Sequence, residues 1–128
     1  VAPSGEATTF ATLPSSVAAF HLALAPDGLF VTAPTLSARD VVYRVLWDGT
    51  VSVFADGFGR PQGLGLGPDG VLHVVEALAG SAGLYRLGDA RRPELLLSAP
   101  GLIGFAFDDA RGVLVACTND TAYRFSLR

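Results

Sequence analysis

Glu76 closes the apolar run VLHVVE, a place where a carboxylate can serve as a general base or a ligand, and it is the chain's catalytic candidate. The plainer alternative is a carboxylate that accepts hydrogen bonds from its own loop. His21 stands directly before an alternating apolar stretch, where an imidazole titrating near neutrality can accept a proton or simply pack beneath a loop. Gln62, in the frame Pro61-Gln62-Gly63, offers a neutral amide to a small polar ligand. Arg60, and Arg39 with Asp40, suit carboxylate or phosphate contacts, with a surface ion pair as the competing reading. Asn119 and Asp120 can hydrogen-bond a sugar-like ligand or form an ordinary turn. His73 alternates with Leu72 and Val74 inside a buried-type strand, which assigns it to packing and a hydrogen bond rather than to catalysis.

Other chemistries find no footing. Ser15, Ser16, Ser81 and Ser98 lack the strand-turn-helix setting of a nucleophile elbow. Cys117 lies in an apolar strand without a histidine at a telling spacing, as an inert small hydrophobe would. Gly57, Gly59 and Gly63 lead into a strand, whereas a phosphate cradle needs a following helix. The net charge of −3, the absence of lysine and arginines spread singly apart from Arg91 and Arg92 argue against a nucleic-acid partner. No apolar run approaches the roughly 20 residues of a membrane-crossing helix, so a soluble chain without a membrane partner is expected. A lone cysteine leaves the cellular compartment open.

The elements that must position these residues come from a repeat. LALAPDGLFV from Leu22 recurs 42 residues later as LGLGPDGVLHV from Leu64, and 41 residues after that as FAFDDARGVLV from Phe105, with one extra residue in the turn. A second marker follows each copy: Tyr43-Arg44, Tyr85-Arg86 and Tyr123-Arg124, lying 21, 21 and 18 residues on. Each copy reads as four short strands, with turns at Asp27-Gly28, Asp48-Gly49 and Asp69-Gly70, where aspartate and glycine tolerate positive φ. The strands after Pro-Asp-Gly are apolar throughout, as in sheets covered on both faces.

This period and strand count predict an all-β fold: a β-propeller of three four-stranded antiparallel blades, half of a six-bladed ring. Blade 1 spans about residues 19–55, blade 2 about 61–98 and blade 3 about 102–127. The third copy runs only to its Tyr-Arg strand, and residues 8–13 read as a stray outer strand, aligned with 51–55 and 95–98, that completes a neighbouring blade. Three blades cannot close a ring, so the expected partner is a second copy of the chain, or else the other half of a longer propeller.

Along RPQGLGLGPDGVLHVVE from Arg60 and GVLVACTND from Gly112, the chain resembles the SMP-30/gluconolactonase and NHL-type six-bladed propellers. That resemblance implies a ligand face built from loops between second and third strands and between blades, holding residues 56–62, 76–83 and 118–121. In the lactonase branch it implies calcium or another divalent cation on the propeller axis, with an asparagine or aspartate between Pro and Gly. Here Gln62 occupies that ligand position, and its counterparts in the other repeats are Phe20 and Ile103. One neutral amide is a poor start for a hard cation that wants six to eight oxygens, so no metal ligand is assigned. Two functions follow. One is a module that binds a small polar ligand or a protein partner on its loop face, and the other is a metal-dependent lactone hydrolase whose full metal site needs residues absent from this chain.

Overall fold

The computed structural model describes residues 3–78 and 81–127, and contains eleven strands and no helix among them. They form three antiparallel meanders. The first sheet holds β1 (His21–Ala25), β2 (Gly28–Thr32), β3 (Asp40–Leu46) and β4 (Val51–Phe58). The second holds β5 (Pro61–Leu66), β6 (Leu72–Glu76), β7 (Gly83–Arg86) and β8 (Glu94–Ser98). The third holds β9 (Gly104–Asp108), β10 (Val113–Cys117) and β11 (Ala122–Ser126), with β11 as an edge. The first strands of the sheets lie side by side, β1 against β5 and β5 against β9.

Period-two alternation decides what each face covers. Leu72 and Val74 of β6 join Ala23, Phe30, Val42, Ala55 and Phe58 in a core between the first two sheets. Val75, on the other face of β6, joins Leu84, Leu102, Leu114 and Ala116 against the third. All five residues of β6 are therefore buried. Such a strand can tolerate polar groups only with partners. His73 meets that condition: its Nδ1 lies 2.9 Å from the Val71 carbonyl oxygen and its ring makes edge contacts with Phe105 and Phe107 of the third sheet.

The two sequence markers prove to be halves of one ion pair. In the first sheet Arg44 reaches Asp27 in the β1–β2 turn, and in the second Arg86 Nη2 reaches Asp69 Oδ2 at 2.6 Å. That guanidinium, with the Val71 amide, holds the Asp69 carboxyl below its ordinary range. In the third sheet the lengthened turn pairs Asp108 with Arg111 instead, which leaves Arg124 without its counterpart. The turn glycines divide by mechanism. Gly49 and Gly70 adopt φ of +86° and +73°, as the turn reading requires, but Gly28 does not have positive φ. It is glycine because a Cβ there would stand 2.1 Å from the Val45 carbonyl oxygen.

The two outer sheets are covered unequally. On the face of the first sheet turned away from the second, Leu22 and Leu24 are 60% and 72% exposed, yet Val31 and Val45 at its centre are 0% and 1% exposed. The chain ahead of β1 crosses that face. Phe10 lies 6.0 Å from Trp47 at the β3–β4 turn, and Ser16 Oγ and the Val17 amide donate to the Pro34 carbonyl at 2.7 and 3.0 Å at the opposite end. Residues 8–13 form no strand with any described residue. Beside the third sheet, a groove of about 280 Å³ is lined by Pro68, Asp69, His73, Leu96, Phe107 and Leu127.

Burial lowers the proton affinity of His73 below its ordinary value of 6.5. An unfolded chain takes up that proton below about 6.5 and the folded one resists it, so His73 makes stability fall as pH drops beneath that value. Thermal melting across this window is expected to show a declining midpoint in the wild type, and a flatter profile in His73→Phe.

Candidate functional site

A meander places its β2–β3 type connections and the sheet-to-sheet crossovers at one end, opposite the tight turns. At this loop end the seam between the first two sheets turns polar. Asp40 lies two residues before Val42, and Glu76 two residues after Val74, so both carboxylates face the seam whose apolar floor those valines build. They are 5% and 4% exposed. Glu76 Oε1 accepts hydrogen bonds from Arg39 Nη1 at 3.1 Å and from the Ser81 hydroxyl. The same Arg39 nitrogen donates to the Gly57 carbonyl at 3.1 Å, tying the β2–β3 loop to β4. Tyr85 donates to the Ser81 carbonyl at 2.8 Å, and burial, then the nearby Glu76 charge, push its phenol above the ordinary value. Asp40 Oδ1 accepts from the Thr35 hydroxyl at 2.6 Å and the Thr35 amide at 3.2 Å. Its Oδ2 is buried without a hydrogen-bond partner.

A second group sits at the starts of the inner strands. Gln62 is half-buried, flanked in the repeat by Phe20 and Ile103, which are 43% and 41% exposed. Its backbone carbonyl accepts from Thr32 Oγ1 at 2.7 Å, while its carboxamide bonds to no described residue. A break in the β5–β6 register between Pro61 and Leu64 sets the amide apart from the ladder. The next residue must be glycine: a Cβ on Gly63 would stand 2.9 Å from both Gly104 Cα and the Ile103 carbonyl, to which the Gly63 amide donates at 3.0 Å. His21 is half-buried opposite Thr32 on β2, and its ring has no partner among the described residues.

The remaining candidates scatter. Arg60 is exposed, with a positive φ of 52° that turns the chain from β4 into β5 and lets its carbonyl accept from Ala77 at 3.3 Å. Asp120 Oδ1 is held by the Thr118 and Thr121 hydroxyls at 3.0 and 2.9 Å, inside the β10–β11 turn. Asn119 is exposed at the tip of that turn. Residues 79 and 80 of the 76–83 loop lie outside the described residues. Cys117 is half-buried.

Geometry thus divides the candidates between a seam cluster around Glu76 and an inner-strand cluster around Gln62. Sequence reasoning missed Thr32 and Thr35, and gave Ser81 no part because it sought a nucleophile rather than a donor to Glu76. Among the described residues no three His, Cys, Asp or Glu side chains converge. One amide between two apolar side chains does not fit calcium, and no step through a metal is derived.

Because its partners would be orphaned in a low-dielectric seam, Glu76→Ala is expected to lower unfolding stability by about 2 kcal/mol in urea titrations. Arg39→Ala, whose guanidinium is half in water, is expected to lose about 1 kcal/mol or less. Unchanged or increased stability in Glu76→Ala would mark instead a carboxylate held in readiness for a ligand.

No family model matches the chain, and neither a curated protein nor a solved structure matches it, so the function rests on the geometry alone.

Proposed function

We propose that the three sheets are three blades of a six-bladed β-propeller of the SMP-30/gluconolactonase and NHL type, completed by a second copy, and that the ring binds a small polar ligand at its loop end. Support for the ring comes from the adjacency of β1, β5 and β9, the single shared stack of faces, and the exposed Leu22 and Leu24 at the inner edge of the first sheet. The third blade receives its outer strand from residues 8–13 of the other half.

One observation carries the binding reading over hydrolysis. The acids at the loop end are engaged by their own surroundings, Glu76 by Arg39 and Ser81 and Asp120 by two threonines, while the uncommitted polar group is the neutral Gln62 carboxamide. An amide flanked by Phe20 and Ile103 suits a neutral ligand with hydroxyls on one edge and a C–H face on the other. With twofold closure the two Gln62 side chains face one another near the axis, giving two amides and no charge.

Light scattering is expected to give twice 13.2 kDa, and a stable particle of 13.2 kDa contradicts closure by a second copy. Saturation-transfer NMR with a panel of neutral monosaccharides and lactones is expected to show contacts that Gln62→Ala abolishes. A cation that binds only the folded form must raise the melting midpoint, so a clear upward shift with calcium or zinc would return the hydrolase reading.

A further inference from the structure

The chain ahead of β1 is already laid where a partner's outer strand belongs. It passes from Phe10, at the turn end of the first sheet, to Val17, at the loop end, and so runs in the direction of β4. A fourth strand on the third sheet must run the same way, because it is antiparallel to β11 as β4 is to β3. Two unpaired edges face this arrangement. No backbone hydrogen bond joins residues 8–13 to any described residue, and β11 has no neighbour on its outer side among the described residues.

We infer that residues 8–13, held on their own first sheet by the Phe10–Trp47 contact, form a preplaced template whose free edge pairs with β11 of a second copy. This rests on the reading that a second copy completes the ring, and adds the surface, direction and register of the contact. The register follows from the repeat. Tyr43 pairs with Val53 and Arg44 with Ser52, and Tyr85 pairs with Leu95 and Arg86 with Glu94. The same offset sets Tyr123 opposite Ala11 and Arg124 opposite Phe10. In that register Phe10 takes the place of Ser52, whose side chain faces the following sheet, and Phe10 does face its own first sheet through Trp47. Ala11 then points the other way, toward the partner's groove beside Leu96 and Phe107. Association needs no release of the segment, since its docked position and its exchanged position coincide. Main-chain hydrogen bonds supply the attraction, as in other additions of a strand to a sheet edge.

The test is disulfide trapping in a Cys117→Ser background, with Ala11→Cys and Tyr123→Cys in one chain and Thr12→Cys with Tyr123→Cys as the frame-shifted control. Directly opposed strand residues lie within reach of a disulfide, and a one-residue shift turns the side chain to the other face. The expected result is an oxidised species of twice 13.2 kDa on a denaturing gel from the first pair, at least tenfold more abundant than from the control. A native dimer by light scattering without that preference overturns the strand pairing and leaves closure by a second copy standing. A disulfide within one chain also overturns it. A particle of 13.2 kDa in the untrapped protein overturns both.

Discussion

A sheet that is apolar on both faces must be covered on both faces, and most of this molecule follows from that requirement. The second sheet meets it fully: β6 is buried from Leu72 to Glu76, with Val74 against one neighbour and Val75 against the other. The outer sheets inherit the same strand type without two neighbours. On the first sheet the segment through Phe10 covers Val31 and Val45, yet Leu22 and Leu24 stay in water. Exposed leucines beside an unpaired β11 edge mark surfaces that proteins ordinarily hide or guard.

The strands and their grouping were legible because burial writes itself into the sequence as a repeat. The copies starting at Leu22, Leu64 and Phe105 became three sheets, with the second spanning Pro61 to Ser98 as read. What the repeat could not show was why its parts recur together. The Tyr-Arg and Pro-Asp-Gly markers lie far apart in the chain, and their pairing as Arg44 with Asp27 and Arg86 with Asp69 appears only when β3 folds back across the β1–β2 turn. Gly28 teaches the same lesson at shorter range, since a neighbouring carbonyl rather than a dihedral angle excludes its side chain.

The candidate site was less legible, for an electrostatic reason. Glu76 and Asp120 are chemically able acids, but a carboxylate's capacity to act depends on what already occupies its lone pairs. Arg39 reaches Glu76 from another sheet, 37 residues away in sequence, and no local pattern announces it. Gln62 kept its interest because no partner emerged for its amide. Asp40, read first as a partner of its neighbour Arg39, turned instead toward Thr35 and retains one buried oxygen without a donor. Polar groups at this end therefore hold the seam between two sheets together, and what remains for a ligand is neutral.

The central claim is that a second copy covers the outer surfaces, with the 8–13 segment and β11 meeting across the boundary. Amide hydrogen exchange followed as a function of protein concentration tests it at those strands. The account predicts that exchange in residues 8–13 and in β11 slows together as concentration rises, while β6 exchanges slowly throughout. Fast exchange in both segments that does not change with concentration would contradict it.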